Sequence, residues 1–250
     1  MPRRYFLHLA YCGTHFNGWQ SQINLPESRT VQGTLEYALS VLTRQAIAVT
    51  GCGRTDTGVH ASDYYAHVDT DFELTLPSFL HKLNSYLPND IAVYRIFEVD
   101  NEVHARFSAI SRSYTYHLHT RKIPFAPYSY FYPYGQPDLS LLQKTADMIC
   151  DYKDFNTFCK SRSDVRTTIC KISDSSWEKT DEFSYVYRIS ADRFLRGMVR
   201  LITGMCLQVA RGKLDLSQAE SAIRNGKRTG QDWSVPPQGL FLSQIKYSDF

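Results

Sequence analysis

The order of sequence patterns predicts an α+β protein made of two ferredoxin-like halves that share a mixed, mostly antiparallel sheet. Short runs with a two-residue apolar period alternate with segments of helical period. The first hundred or so residues give the order strand, helix, strand, strand, helix, strand, as in RNA-recognition (RRM-like) modules. The rest of the chain repeats that order. We therefore expect helices on one side of the sheet and an active-site cleft between the halves.

The first half, residues 1–108, is predicted from local patterns and end signals. Its expected strands are residues 4–11, 46–50, 64–68 and 91–99. Thr30 is the expected N-cap of a helix that starts at Val31 and has one apolar face. A second helix is expected at residues 77–86, with Pro77 in its first turn.

The second half, residues 109–250, is predicted to carry the same elements and one extra helix. Its expected strands are residues 112–120, 168–177, 183–190 and 240–247. Its expected helices are residues 139–151, 194–209 and 217–225. Gly197 falls inside the second of these helices, where glycine costs roughly 1 kcal/mol relative to alanine.

A glycine-rich loop, residues 51–61, lies between two predicted strands and holds one carboxylate, Asp56. Arg54 stands two residues before it. Loops held by a rigid scaffold are common positions for catalytic groups. An Asp between Thr and Gly also commonly accepts backbone N–H bonds in an Asx-turn, so a structural role stays open. The triplet Asp-Thr-Gly occurs in aspartic proteases too, but these need a second such carboxylate, and the chain has one copy.

Residues 53–61, Gly-Arg-Thr-Asp-Thr-Gly-Val-His-Ala, resemble the active-site motif of the tRNA pseudouridine synthase A family and keep every fixed position. Six further segments are similar to that family, so the resemblance extends over nearly the whole chain. They are residues 11–20 (Tyr-x-Gly-x-x-x-x-Gly-Trp-Gln), 30–32 (Thr-Val-Gln), 104–109 (His-Ala-Arg-Phe-Ser-Ala), 112–116 (Arg-x-Tyr-x-Tyr), 194–200 (Phe-x-x-x-Met-Val-Arg) and 239–242 (Gly-Leu-aromatic-Leu).

The resemblance implies that the chain isomerises uridine to pseudouridine in the anticodon stem-loop of tRNA, at positions 38, 39 and 40. It implies that Asp56 is the nucleophile, attacking either the ribose or the base. Arg200 would pair with the Asp56 carboxylate, and Tyr114 would lie against the target base. Arg54 would contact the RNA backbone or fill the space that the flipped base vacates. Leu242, in the last predicted strand, is a further candidate for substrate binding.

The charge distribution agrees with a polyanionic partner better than the net charge of +3 does. One basic cluster comprises Arg188, Arg193, Arg196, Arg200, Arg211 and Lys213, and another comprises Lys160, Arg162, Arg166 and Lys171. Either could be a solvated face, and either could follow RNA phosphates. The resemblance also implies that the partner is tRNA, that the protein is a homodimer and that the reaction needs no cofactor or metal. The sequence departs from the family pattern at Arg196-Gly197, where close relatives often have histidines.

The remaining sequence features favour a cytoplasmic protein. No apolar run approaches the ~18 residues of a membrane span, and the N-terminus lacks the apolar core of a signal peptide. The six cysteines form no C-x-x-C pair, so zinc-ribbon spacing is absent. Two alternatives to an isomerase stay open at this point. One is a non-catalytic RNA-binding protein on the same scaffold, and the other is a hydrolase built on Asp-Thr-Gly.

Overall fold

A computed structural model of the chain describes residues 2–21, 29–159, 166–228 and 232–248. These residues contain nine strands and five α-helices, and most strand pairs are antiparallel. The predicted α+β class is therefore confirmed. Two compact units are distinguished by their internal contacts: residues 1–110 with 241–250, and residues 111–240. Among the described residues, no helix has the length and apolar character needed to cross a bilayer.

The first unit combines a sheet with two helices. Its elements are β1 (Arg3–Tyr11), α1 (Val31–Thr43), β2 (Thr50–Gly51), β3 (His60–Thr70), α2 (Pro77–Tyr86), β4 (Ile91–Val99) and β9 (Leu240–Tyr247). The strand order is β4-β1-β3-β9, and β2 pairs with β3. All of these pairs are antiparallel except β3 with β9, which is parallel. The last strand of the chain therefore lies beside the strand that follows the glycine-rich loop.

Both predicted helix starts of the first unit are confirmed. The Thr30 hydroxyl accepts the Gly33 N–H at 3.2 Å, and this bond satisfies one of the donors at the start of α1. Pro77 is the first residue of α2. The Asn84 amide fixes α2 to β4, because it bonds both the N–H and the carbonyl of Val93 at 2.8 Å.

The predicted strand at residues 46–50 is largely wrong, since only its last residue is in a strand, in β2. The Val49 backbone pairs with side chains of α1 instead of with a neighbouring strand. Its N–H donates to Glu36 Oε1 at 3.0 Å, and its carbonyl accepts from Gln32 Nε2 at 3.1 Å. These side chains therefore satisfy the backbone N–H and carbonyl of Val49 without a neighbouring strand.

The second unit has four strands and three helices among its described residues. They are β5 (Ala109–His119), β6 (Tyr130–Phe131), α3 (Leu139–Cys150), β7 (Ile172–Lys179), β8 (Ser184–Ala191), α4 (Met198–Ala210) and α5 (Leu216–Asn225). The order is β5-β8-β7, antiparallel, with β6 parallel to the end of β5. Helix α3 packs against both β7 and α4.

The helix predicted at residues 194–209 begins four residues later than expected. Gly197 is its N-cap with φ of 72°, a left-handed conformation that glycine adopts without the steric cost of a Cβ atom. The placement of Gly197 in a helix interior was therefore wrong. The chain instead uses this glycine to turn into α4, and Arg200 becomes the third residue of the helix.

Candidate active site

The glycine-rich loop leads from β2 into β3 and ends in a tight turn that contains Asp56. The Val59 N–H donates to the Asp56 carbonyl at 3.1 Å, so residues 56–59 form a β-turn. Gly58 is the third residue of this turn and has φ of 77°, which a residue with a Cβ rarely adopts. Asp56, at the first position, is half-buried, while Arg54 is exposed.

A second loop, residues 12–20, holds the first one in place through backbone contacts. The Trp19 N–H donates to the Thr55 carbonyl at 3.2 Å, and the Gly58 N–H donates to the Phe16 carbonyl at 3.3 Å. These two bonds fix the backbone on both sides of Asp56. The segments that resemble family motifs, residues 11–20 and 53–61, are therefore in direct backbone contact.

Glycines allow the two loops to come this close. A Cβ atom at Gly13 would lie 2.0 Å from the Val59 carbonyl oxygen. One at Gly18 would lie 2.5 Å from the Thr55 carbonyl oxygen, and Gly18 has φ of 88° as well. No side chain could be added at either position unless the backbone of the Asp56 loop moved.

Buried side chains complete the support of the loop. The Tyr11 hydroxyl and Thr55 Oγ1 are 2.8 Å apart. His60 is 1% exposed; its Nδ1 accepts the Gly13 N–H at 3.1 Å, and its ring stacks on Phe241 at 4.6 Å. Because Nδ1 is an acceptor here, the neutral ring carries its proton on Nε2. His60 therefore braces the loop.

Leu242, in β9, is the predicted substrate-binding residue nearest this loop along the sheet. It is 2% exposed and pairs with Ala61, the residue that closes the loop 51–61. Its neighbour Phe241 pairs with His60. The first unit therefore brings Asp56, Arg54 and Leu242 onto connected elements, although they are far apart in the sequence.

The other two predicted site residues belong to the second unit. Tyr114 lies in β5 opposite Ile189, and its ring meets the Phe194 ring edge-on at 5.2 Å. Arg200 lies in the first turn of α4, where its Nε donates to the Val235 carbonyl at 2.7 Å. A cation near a helix N-terminus opposes the helix dipole by about 0.3–1 kcal/mol, so this position does not favour an Arg for helix stability.

A cavity of about 220 Å³ adjoins the Asp56 loop in the first unit. We call it the Phe107 cavity. Its lining residues are Trp19, Gln20, Gln32, Val49, Thr50, Gly51, Gly53, Arg54, His104, Arg106 and Phe107. Arg54 is positioned at this cavity by Gln20, whose Oε1 accepts from Arg54 Nε at 3.0 Å.

Phe107 gives the cavity an exposed aromatic surface beside positive charge. Its side chain is 76% exposed, its ring lies 4.4 Å from His104, and the Arg106 guanidinium is 5.6 Å from its centroid. Burial, helped by the nearby Arg4 and Arg106, lowers the pKa of His104. Exposed aromatic rings beside arginines bind the bases and phosphates of single-stranded RNA.

The sequence alone gives no role to the residues of the His-Ala-Arg-Phe-Ser-Ala segment, 104–109. Three of its residues line a cavity together with Arg54, which a local sequence pattern could not show.

The second basic cluster is only partly described by the structure. Lys160 and Arg162 lie outside the described residues, while Arg166 is exposed.

Comparisons with known proteins agree on one family. The family model described as tRNA pseudouridine synthase matches residues 8–108 and 152–248. A protein named tRNA pseudouridine synthase A from Bacteroides fragilis is 41% identical over 246 residues, which is 98% of this chain and 96% of that protein. Proteins of the same name from Caldicellulosiruptor bescii and a Geobacillus species are 35% and 36% identical, and both are covered over their full length.

Proposed function

The chain belongs to the tRNA pseudouridine synthase family, and we propose that it converts uridines 38, 39 and 40 of the tRNA anticodon stem-loop with Asp56 as its nucleophile. The general reaction is that of the family, the isomerisation of uridine to pseudouridine in tRNA. Membership of this family rules out both alternatives, the non-catalytic RNA-binding protein and the hydrolase. Our proposal goes beyond the family reaction in the target positions and in the nucleophile.

The observation that supports Asp56 is the way in which its backbone is held. Backbone bonds from two separate loop segments fix the residues on both sides of it, and a glycine turn follows it directly. Asp56 is also the one carboxylate in residues 51–61. A nucleophile held before the substrate arrives avoids the entropic cost of positioning it during the reaction. A half-buried carboxylate in such a loop is suited to covalent catalysis.

The net chemistry of the isomerisation explains what the site must supply. The bond between N1 and the ribose C1′ breaks, a bond between C5 and C1′ forms, the hydrogen on C5 leaves as a proton, and N1 gains a proton. The uracil ring must turn between the two bonds and must not diffuse away. A transient bond from the Asp56 carboxylate to the nucleoside, at the ribose or at the base, would keep the reacting parts together.

The other predicted site residues have complementary roles in this proposal. Arg200 would keep the Asp56 carboxylate ionised and oriented, since a guanidinium favours the charged form of a neighbouring acid. The Tyr114 ring would stack on the uracil, with its hydroxyl available for a hydrogen bond. Leu242 would supply an apolar contact for the base. Arg54 would contact RNA phosphate or replace the extracted base in its stack.

The Phe107 cavity supports an RNA substrate that approaches the Asp56 loop. Arg54 and Arg106 provide charge for phosphates, and Phe107 provides a surface for an unstacked base. An anticodon stem-loop carries unpaired, accessible bases next to a duplex backbone and therefore suits this combination. The family resemblance also implies that the enzyme acts as a homodimer in the cytoplasm.

The proposed target positions are tested with tRNA transcripts labelled with tritium at uridine C5. Four transcripts are made: three keep a single uridine among positions 38, 39 and 40, and the fourth has cytidine at all three. We expect tritium release from each of the first three and none from the fourth. Release from the fourth transcript at an undiminished rate would contradict the assignment of positions while leaving the family reaction intact.

A further inference from the structure

Two glutamines link Arg54 to helix α1 through a continuous series of side-chain hydrogen bonds. Gln20 Oε1 accepts from Arg54 Nε at 3.0 Å, and Gln20 Nε2 donates to Gln32 Oε1 at 2.9 Å. Gln32 Nε2 then donates to Glu36 Oε1 at 3.0 Å. All four residues belong to the first compact unit. We call this series of four side chains the Gln20 network.

The chemistry of the two ends fixes the direction of every bond in the Gln20 network. An arginine can only donate, so the amide oxygen of Gln20 must face Arg54. A carboxylate and a backbone carbonyl accept, so the amide nitrogen of Gln32 must face Glu36 and the Val49 carbonyl, which lies 3.1 Å from it. The bond between the two glutamines can then run only from Gln20 Nε2 to Gln32 Oε1, as it does in the structure.

Gln32 uses its whole hydrogen-bonding capacity, which makes it a firm anchor for Gln20. Its amide oxygen accepts from Gln20 and from the Ser21 N–H, at 2.9 Å and 3.0 Å. Its amide nitrogen donates to Glu36 and to the Val49 carbonyl. An amide side chain has two donor hydrogens and two acceptor lone pairs, so all four are used. A fully satisfied polar network holds its side chains in one arrangement.

The backbone next to Gln20 is fixed to the same helix. The Val31 N–H donates to the Gly18 carbonyl at 3.2 Å, and the Gln32 N–H donates to the Trp19 carbonyl at 3.0 Å. Both N–H groups lie in the first turn of α1, where a helix has no acceptors of its own for them. The start of α1 therefore holds both the side chain of Gln20 and the backbone directly before it.

The Gln20 network engages one edge of an exposed guanidinium. Gln20 bonds the Nε of Arg54, and Arg54 lines the Phe107 cavity together with Gln20 and Gln32. The two terminal nitrogens of Arg54 bond no other residue in the part of the chain that the structure describes, and their fork matches two phosphate oxygens. A side chain that is held before binding loses less rotamer freedom when the ligand arrives.

We propose that Gln20 is a positioning residue, which holds the Arg54 guanidinium in place for a phosphate of the RNA substrate. This inference rests on the proposed function, because it takes tRNA as the ligand of Arg54. It assigns Arg54 to a phosphate rather than to the stack that the extracted base leaves. A phosphate can bind the terminal nitrogens while the Gln20 network stays intact, whereas insertion of Arg54 into a base stack would break the bond to Gln20.

The inference also gives a shared role to three segments that resemble the family. Residues 11–20, 30–32 and 53–61 each contribute one member of the network, namely Gln20, Gln32 and Arg54. Glu36 completes it from the next turn of α1.

The test is a double-mutant cycle with Gln20→Met, Arg54→Ala and the double variant, read out as tRNA affinity. Methionine keeps nearly the length of glutamine but removes its amide, and Gln32 Oε1 keeps the Ser21 N–H, so the melting temperature should not change. We expect Gln20→Met to weaken binding about fivefold, as for the ordering of one long side chain on binding. Arg54→Ala should weaken it at least about tenfold, and the double variant should stay within about twofold of Arg54→Ala.

Two further readouts separate positioning from a general loss of structure. Gln20→Met should raise KM for tRNA about fivefold and leave kcat within about twofold, because the backbone bonds around Asp56 remain. Arg54→Ala should lower the slope of log affinity against log salt by about one phosphate contact. The control is Gln45→Met, which removes an amide that accepts from Thr70 Oγ1 and does not line the Phe107 cavity, and it should bind tRNA as wild type does.

The possible failures are distinguishable. If the loss in the double variant equals the product of the two single losses, Gln20 acts independently of Arg54 and the inference is wrong. Wild-type affinity for Gln20→Met beside weak binding by Arg54→Ala would also contradict it, while the RNA contact of Arg54 would stand. An unchanged salt slope for Arg54→Ala would exclude the phosphate, and unchanged affinity would remove the proposed role of Arg54 together with the inference. Tritium release by Asp56→Asn reports separately on the proposed nucleophile.

Discussion

The Tyr11 hydroxyl lies 2.8 Å from Thr55 Oγ1, in a buried position next to Asp56 in the sequence. This bond ties the end of β1 directly to the loop that carries the proposed nucleophile. Its partners are 44 residues apart along the chain. The first strand of the fold therefore helps to hold the Asp56 loop in place, and we expect that disturbing this bond affects catalysis although neither partner is a proposed catalytic residue.

Tyr11→Phe should lower both stability and turnover. The ring contacts of Tyr11 with Trp19 and Tyr64 are retained, but Thr55 Oγ1 loses its partner in a buried place. We expect the free energy of unfolding to fall by about 1–2 kcal/mol, and kcat to fall more than tRNA affinity does. Urea unfolding and tritium release measure the two effects. Tyr94→Phe, at an exposed position of β4, should change neither.

Gly18→Ala should be more damaging than Gly135→Ala, although both glycines have a positive φ. Their φ values are 88° and 82°, so both substitutions bring backbone strain of about 1–2 kcal/mol. Only at Gly18 would the new methyl group also meet the Thr55 carbonyl, at 2.5 Å, whereas nothing lies within 4 Å at Gly135. The difference between the two variants isolates the close approach of the loops.

We expect Gly18→Ala to reduce kcat at least about tenfold, because displacement of a catalytic group by about 1 Å is costly. Gly135→Ala should keep wild-type turnover. Equal turnover for the two variants, each assayed below its melting temperature, would show that the contact between the loops does not position Asp56.

The stability of the enzyme should fall in mild acid because of His67. This side chain is 5% exposed, and its Nδ1 accepts the Ala105 N–H at 3.1 Å. Burial, reinforced by Arg4 and His104, lowers the pKa of His67 to about 4. The folded state therefore resists protonation, whereas the unfolded state takes up a proton near pH 6.5. The contribution of neutral His67 to the free energy of unfolding is therefore complete above pH 6.5 and is lost as the pH falls toward 4.

Between pH 7 and pH 5, this effect should remove about 2 kcal/mol from the free energy of unfolding. His67→Gln keeps an acceptor for the Ala105 N–H and has no group that titrates, so its unfolding free energy should fall less over the same range. Carboxylates titrate equally in both proteins and cancel in the comparison. Parallel pH curves for the two proteins would rule out His67 as the source.

Phe107→Ala should weaken tRNA binding without loss of stability. The side chain is 76% exposed, so its removal costs the folded state little. Base stacking on an aromatic ring contributes about 1–3 kcal/mol, which corresponds to an affinity loss of about five- to 150-fold. Tyr37→Ala removes an aromatic ring that is 64% exposed and does not line the Phe107 cavity, and it should bind tRNA normally. Equal affinity for the two variants would contradict an RNA contact at Phe107.

Local signals predicted most of the elements of the fold. The Thr30 cap, the proline at the start of α2 and the apolar faces of the helices depend on neighbouring residues, which a sequence displays directly. Helix α5 begins at Leu216 behind an Asp215–Gln218 capping box, one residue from the predicted start. The predicted strand at residues 46–50 is wrong because side chains far away in the sequence bond the backbone there. Gln32 and Glu36 satisfy the Val49 backbone and replace the predicted strand.

The site could be predicted only in part for the same reason. The resemblance of residues 53–61 pointed to Asp56, but nothing local indicates that residues 13 and 18 must be glycine for the loops to meet. The pairing of Leu242 with Ala61 joins positions 181 residues apart, counted from their numbers. Such contacts follow from strand order, which the pattern of a single strand does not encode.

The most direct test of the account is tritium release from C5-labelled tRNA by Asp56→Asn. The amide keeps the shape of the side chain but cannot form the covalent bond to the nucleoside that we propose for Asp56. We expect release to fall by about 1,000-fold or more, while tRNA affinity stays within about threefold of wild type. Asp71→Asn, an exposed acid outside the loop, should behave as wild type. Release by Asp56→Asn within tenfold of the wild-type rate would show that another group attacks the nucleoside.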